Sequence, residues 1–363
     1  MLKVRVGELA PFFVAKASNR PDYSFKSRGG RYTVLTFVAG SQYPRESELL
    51  AGLHSLPGLF DGIGSEMFIV TGDPEDDQFR RVPVREPGIR AFYDADRKIA
   101  DLFGIPYQVG RPVSYLLSPR LQIIGIILAG GPQQQVNTIR DTLRRQVPIE
   151  RIDDVFGSAP VLIVPHVFEP SLCRELIDTY IRDGGKPSGF MVAENGRTVG
   201  KYDPHYKVRR DVILSDPGLI AKVRDCFFQR VMPQMKRAYQ FEARHLERFL
   251  VACYEAKDGG HFAVHRDDTT PGTAHRRFAA TVNLNTEYEG GELCFPEFGE
   301  KKFRAPPGSA IIFSASLLNR ALLVRRGTRY AFLPFIHDNA AERIRLANDG
   351  TIVGAEPPLR AKI

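Results

Sequence analysis

No cysteine precedes Cys173, and no apolar run is longer than Ile123 to Ala129. The first absence rules thiol chemistry out of the leading half of the chain, because such chemistry needs a thiolate. The second rules out a membrane-spanning helix, which needs roughly 20 apolar residues. Like charges do not run in blocks either. Lys and Arg are scattered, often beside Asp or Glu, so the net charge of +8 reads as an ordinary solvated surface. No basic patch is interleaved with aromatics, so nucleic acid is not an expected partner. Met1 to Val6 lacks the apolar stretch of an export signal. Cys173, Cys226, Cys253 and Cys294 have no metal-type spacing and read as buried free thiols in a reducing, cytoplasmic setting.

What is present divides in two. Tyr32–Val38 and Met67–Gly72 are runs of buried-strand type, rich in β-branched and aromatic residues. A helix between them carries Glu46, Leu49, Leu50 and Leu53 at helical spacing. Phe92 to Ile105 reads as turn, helix and Gly104 cap, and Tyr115–Pro119 with Leu121–Leu128 as a hairpin. Gln133 to Arg145, with Val136, Ile139 and Leu143 on one face, is a closing helix. Strands alternating with helices predict an α/β domain over 1–145. Residues 146–159 are the expected linker, 160–340 a second domain and 341–363 a tail. The second domain opens with a strand at Val161–Val164, a helix capped by Ser171 and a helix starting at Ser215-Asp216-Pro217, with Pro233 as its kink or end. Gly189 to Asp211 lacks periodicity and reads as a loop, where Tyr202, His205, Tyr206, Arg209 and Arg210 are candidate substrate contacts or an ordinary solvated surface.

Chemistry concentrates around Gly259-Gly260-His261-Phe262-Ala263-Val264-His265-Arg266-Asp267. In a strand, residues two apart share a face, so His265 and Asp267 aim at one point. An imidazole and a carboxylate so placed are two thirds of the 2-His-1-carboxylate set that holds non-haem Fe(II) with open positions. Downstream, short strands separated by Gly/Pro turns predict an antiparallel sandwich or barrel.

From about Val161 to Asp338 the chain resembles the prolyl 4-hydroxylase-like branch of the 2-oxoglutarate/Fe(II) dioxygenases. The matching pieces are Tyr254, the His265-x-Asp267 pair, Gly290-Gly291-Glu292-Leu293, Pro307-Gly308-Ser309-Ala310 and Gly327-x-Arg329-Tyr330. The resemblance implies a double-stranded β-helix (jelly-roll) domain with flanking helices, with His265 and Asp267 as metal ligands and catalytic residues. It implies Arg329 as the partner of the distal carboxylate of 2-oxoglutarate, consistent with the bidentate fit of guanidinium and carboxylate. Tyr254 is implied as a hydroxyl donor to the same cosubstrate. The implied reaction is hydroxylation of a C–H bond, of a prolyl or other peptide or protein side chain or of a small molecule, with Fe(II), 2-oxoglutarate and ascorbate as reductant.

One departure stands at the third metal position. The family has a histidine about ten residues before the arginine, and this chain has Asn319. A neutral amide should hold Fe(II) more weakly than imidazole. Relatives that halogenate lose the carboxylate instead, so halogenation is not indicated. Three readings stay open: an iron site completed by Asn319 or water, a domain without catalysis that binds carboxylates, or an introduced substitution. His261 and His275 are read as rim or structural residues. His337 lies eight residues past Arg329, roughly 26 Å along a strand at about 3.3 Å each, too far to substitute. Arg276 and Arg277 are surface charges by default and substrate partners otherwise.

The first domain resembles the peroxiredoxin type of thioredoxin fold over about residues 1–145, through Gly7-x-x-Ala10-Pro11-Phe12, Val34–Phe37 and Tyr93–Ala100 before Gly104. The family's peroxidatic cysteine would fall near Tyr43, where there is none. Scaffolding, a homodimer through this domain, or partner docking are the roles this leaves it.

Overall fold

The structure is a computed structural model that describes residues 2–194 and 196–353. Two compact units are present, one of residues 1–158 with 296–300, the other of 159–295 with 301–363.

The first unit is built on one seven-stranded sheet. Its order is Arg20–Ser24, Val14–Ala17, Ile89–Tyr93, Ser65–Thr71, Tyr32–Val38, Val113–Leu117, Ile123–Ile127. Tyr32–Val38 lies parallel to Ser65–Thr71 and antiparallel to Val113–Leu117. All seven of its residues are buried, as expected of a strand covered on both faces. Alternation then sorts the side chains: Leu35, Phe37, Phe68, Val70 and Phe92 pack on one side, Val34, Val38, Met67, Ile69 and Ala91 on the other. The helix Pro44–His54 turns Glu46, Leu49, Leu50 and Leu53 inward. The helix Pro132–Arg144 buries Val136, Ile139 and Leu143. Gly104, at φ 70°, closes the helix Lys98–Phe103. The edge hairpin Val14–Ala17/Arg20–Ser24 was not expected, because its strands expose most side chains and carry little apolar alternation.

The second unit pairs a large antiparallel sheet with a small one. The large sheet runs His245–Glu247, Phe335–His337, Phe278–Asn283, Val324–Phe332, Leu250–Glu255, Arg210–Ile213, Lys186–Pro187, with Ala310–Ser314 also paired to Phe278–Asn283. The small sheet runs Lys207–Val208, His261–His265, Asn319–Ala321, Leu293–Cys294, Lys302–Phe303. Helices Pro170–Asp183, Pro217–Cys226 and Met232–Tyr239 cover one face of the large sheet, where Leu176, Val223, Phe227 and Met235 meet Val251, Cys253 and Phe332. The alternate residues Leu250, Ala252 and Tyr254 turn the other way, against Tyr288, Val324, Phe262 and Ala321. That second face holds the candidate site.

Several local expectations change. The helix expected to be capped by Ser171 begins two residues earlier, with Glu169 at the N-cap position and no side-chain capping bond, because Pro170 presets the first helical φ. Asp216 caps the next helix by accepting from Leu219 N at 2.6 Å. Pro233 does not end that helix: the chain passes through a π turn at Phe227–Val231 and continues as Met232–Tyr239. Gly189 to Asp211 is no plain loop. It contains the hairpin Phe190–Glu194/Arg197–Lys201, whose second strand is polar and carries Gly200. The stretch expected as linker includes a short helix at Ile152–Phe156. The expected tail starts as the helix Asn339–Ala347, and Ile352–Val353 pairs with Arg197–Lys201. Residues 354–363 lie outside the described residues. All four cysteines are free and buried, and among the described residues no helix is long and apolar enough to cross a membrane.

Candidate active site

The small sheet brings the motif residues together. His265 ends the strand His261–His265 and sits in register with Asn319 on the neighbouring strand. Asp267 follows in a turn whose position is set by a hydrogen bond from its own backbone N–H to Ala315 O, 2.9 Å. His265 Nε2 and Asp267 Oδ1 end 3.5 Å apart. His265 Nδ1 donates to Ala263 O at 2.8 Å, which leaves Nε2 deprotonated in the neutral ring and free to act as a ligand. Phe262 stacks on the imidazole at 3.6 Å and holds its plane. Burial pushes the Asp267 carboxyl up, but His265, Arg276 and Arg248 outweigh it and hold the group below its usual range, as a carboxylate.

Asn319 is buried beside this pair. Its Nδ2 lies 3.2 Å from His265 O, 3.2 Å from Leu317 O and 3.3 Å from Asp267 Oδ2. All three neighbours are acceptors, so reversing the amide would set oxygen against oxygen. The amide therefore offers its nitrogen to the site. That nitrogen has no basic lone pair, and in this rotamer Asn319 is a donor to Asp267.

Arg329 lies on the strand Val324–Phe332, directly across from Tyr254. It is buried, and its guanidinium reaches only neutral acceptors: Nη2 to Thr281 Oγ1 at 2.9 Å and Nε to Asn283 Oδ1 at 3.3 Å. A buried cation with no carboxylate partner among the described residues is the complement of a diacid that enters from outside. Arg329, Thr281, Asn283, Tyr288 and Arg304 line one cavity. Gly291 is necessary to it. The residue has φ +69°, and a Cβ there would stand 3.0 Å from Arg329 Cδ and 2.9 Å from Val324 Cγ2. Its function was not evident from the sequence, where a Gly-Gly pair reads as a hairpin turn. The Tyr254 ring has two guanidinium groups over it, Arg329 at 5.3 Å and Arg209 at 5.9 Å.

The other candidates scatter. Tyr202 and His205 are exposed, and Arg210 donates to Gly185 O at 2.6 Å, closing the end of a helix. Tyr206 donates to Val264 O at 3.1 Å and supports the small sheet. His261 Nδ1 is bonded to Gly259 O. Arg277 donates to Ala274 O, a local contact. Arg276 does reach the site: Nη1 donates to Asp267 O at 3.3 Å and Nη2 to Glu247 Oε1 at 3.0 Å. His275 and His337 are buried and hydrogen-bonded to Glu247 and Glu342. Each of these carboxylates also holds an arginine, Arg276 or Arg345, which marks structural networks. Lys207 and Arg248, which no sequence pattern singled out, also stand near the pair.

Comparison with known proteins agrees with this geometry. Residues 249–337 match the family model described as the 2OG-Fe(II) oxygenase superfamily. A PKHD-type hydroxylase of Synechococcus sp. is 32% identical over 170 residues, 44% of this chain and 69% of that protein. Another, from Thioalkalivibrio sulfidiphilus, is 32% identical over 110 residues, 28% of this chain and 49% of that protein. Among solved structures, a Pseudomonas putida prolyl-4-hydroxylase aligns with 53% of this chain and 99% of its own at 15% identity and a TM-score of 0.38. Xanthomonas campestris peroxiredoxin Q aligns with 36% of this chain and 89% of its own at 16% identity and a TM-score of 0.31. With a hydroxylase relative matched over more than two thirds of its length, and the family's own segment spanning His265, Asp267 and Arg329, the chain belongs to the 2OG-Fe(II) oxygenase superfamily, as a member of hydroxylase type.

Proposed function

We propose that the second unit, a double-stranded β-helix, binds Fe(II) on His265 Nε2 and Asp267 and hydroxylates a C–H bond of a peptide or protein side chain. The observation that carries this reading is the 3.5 Å approach of His265 Nε2, the ring nitrogen not engaged by Ala263 O, to the Asp267 carboxylate. Arg329 receives the distal carboxylate of 2-oxoglutarate, with Tyr254 beside it. When bound, Fe(II) and 2-oxoglutarate supply the oxidising chemistry: O2 is divided between succinate, formed with loss of CO2, and the hydroxylated product. The chain's own part is to hold and orient. Ala263 O fixes the His265 tautomer, Asn319 and Arg276 brace Asp267, and Phe262, Leu293 and Tyr254 keep the site apolar around the reacting groups. His265 and Asp267 would be the chain's own ligands to Fe(II), with the Asn319 amide nitrogen turned to Asp267. The test is succinate release from 2-oxoglutarate with Fe(II) and ascorbate, lost in Asp267→Ala.

The orientation of the Asn319 amide supports one other reading, a carboxylate-binding module without turnover. The two readings separate on Fe(II) titration without oxygen: submicromolar iron binding favours the hydroxylase, none the module. The first unit, read as a thioredoxin-type frame without its thiol, serves as scaffold or homodimer contact. Peroxide consumption by the chain would contradict that role.

A further inference from the structure

Three basic side chains, Arg209, Arg248 and Lys207, stand near the His265/Asp267 pair; two of them share the Asp211 carboxylate, and burial with the neighbouring Arg209 pushes the Lys207 pKa well below the ordinary lysine range. Asp211 is held in a fork by Arg209, through Nε at 2.7 Å and Nη2 at 2.5 Å. That pair is closed on itself. Arg248 Nη2 comes only to within 3.6 Å of the same Asp211 Oδ2, beyond hydrogen-bond length. Its guanidinium makes no hydrogen bond among the described residues, and its side chain is 20% exposed. Lys207 is buried, and its Nζ donates only to Ser188 Oγ at 2.8 Å and Gly189 O at 2.5 Å, both neutral. Arg276 differs from both, since Glu247 matches its charge.

Placement ties these groups to the reacting centre. Lys207 Nζ lies 4.7 Å from the Phe262 ring, which also stacks on the His265 imidazole and meets the Tyr206 ring edge-on. Arg276, bonded to Asp267 O, sits 3.8 Å over the Phe335 ring, with Arg248 5.4 Å over the same ring. Arg248 has φ +68°, a left-handed conformation that residues other than glycine rarely adopt. Burial and the neighbouring Arg209 and Arg276 push its pKa down to about 10, so it stays charged at neutral pH. Arg248, whose only carboxylate neighbour is already held in a fork by Arg209, keeps its guanidinium donors open to an anion that arrives with a ligand.

We propose that the primary substrate carries a carboxylate close to the C–H bond that is hydroxylated, and that Arg248, with Lys207, receives it. This rests on the hydroxylase reading above and narrows its substrate to an acidic one. An Asp or Glu side chain of a peptide and a free small acid share this chemistry. Arg329 remains the cosubstrate's anchor, so two anion sites of different specificity flank the metal ligands.

The experiment uses calorimetry on the full chain, with 2-oxoglutarate, the capped tripeptide acetyl-Ala-Asp-Ala-amide, its Asn counterpart and free aspartate as probes. The Asp peptide or free aspartate binds, and whichever is tighter identifies the source. The Asn peptide does not bind. Arg248→Gln weakens the acidic probe about tenfold or more and leaves 2-oxoglutarate binding unchanged, while Arg329→Gln does the reverse. Lys207→Met weakens the acidic probe as well. A purely structural Arg248 would lower the melting temperature on substitution, whereas removing an uncompensated cation leaves it unchanged or raises it. Equal binding of the Asp and Asn peptides, no binding of either acidic probe, or acidic-probe binding that survives both Arg248→Gln and Lys207→Met would overturn the proposal. Acidic probes that bind as described, in a protein that releases no succinate, would sink the hydroxylase reading and leave the anion site standing.

Discussion

Each unit contains a buried or half-buried carboxylate among three basic side chains, and the two arrangements differ. In the first unit Glu66 is fully buried, Arg28 forms a fork with it, Arg90 Nη1 comes to 3.3 Å and Arg31 to 3.9 Å. Every cation there also has a hydrogen-bond acceptor: Arg90 donates to Glu86 at 3.0 Å, and Arg31 donates to Gly62 O. In the second unit Arg209 consumes Asp211, Arg248 is left without a hydrogen bond, and Lys207 sees only neutral oxygens. Equal counts of basic side chains therefore mean different things. Around Glu66 every arginine reaches an acceptor, with Arg31 Nε alone left without one among the described residues, and the network suits stability. Around Asp211 the Arg248 guanidinium is without a hydrogen bond among the described residues, which is what the proposed anion site requires.

Breaking the Glu66 network should produce the largest effect. Glu66→Gln takes the buried carboxylate from Arg28, Arg31 and Arg90, of which Arg90 keeps Glu86, and should cost about 3–5 kcal/mol in urea unfolding. A loss below 1 kcal/mol would erase the contrast. Next in size is Asn319→His, which restores a basic ligand beside His265 and Asp267. It should raise Fe(II) affinity by more than the roughly 10–100-fold that a group supporting a ligand from behind is worth, read by anaerobic titration. Unchanged affinity would mean the metal lies elsewhere. Gly291→Ala places a Cβ against Arg329 and Val324 at a positive φ, and should cost about 1–3 kcal/mol while weakening 2-oxoglutarate. Stability loss alone, with cosubstrate binding intact, would detach that cavity from Arg329's role. The smallest effect belongs to pH. Arg345 and His337 hold the Glu342 carboxyl at about 2, against an ordinary 4.5. A folded pKa below the unfolded one gives stability that is present above 4.5 and lost as pH falls toward about 2. Melting temperature between those values should therefore fall less steeply in Glu342→Gln than in the parent.

The sequence made the site's axis legible because its chemistry is local or strongly patterned. His265 and Asp267 are two residues apart, and Arg329 follows Gly327 in a strand. The buried strands of the first unit announced themselves by long runs of β-branched, aromatic and apolar residues, while the hairpins at Val14–Ser24 and Phe190–Lys201 each pair a short strand with a polar one and went unread. Lys207 and Arg248 were illegible for another reason. A lone cation in a chain of 50 looks like a solvated charge, and only the distances to Asp211, Phe262 and Phe335 set these two apart. Gly291 likewise needed the position of Arg329 before its missing side chain acquired a role. Asn319 was visible as a departure, but which end of its amide faces Asp267 depends on three oxygens that no linear pattern displays.

The central claim is that His265 and Asp267 hold Fe(II) while Arg329 holds 2-oxoglutarate. Its most direct test is calorimetric titration of 2-oxoglutarate, without oxygen, into the Fe(II)-loaded full chain and its Asp267→Ala and Arg329→Gln forms. Saturable binding in the parent, weakened in both variants and dependent on iron only while Asp267 is present, is the predicted result. Equal, iron-independent binding in all three proteins would contradict it.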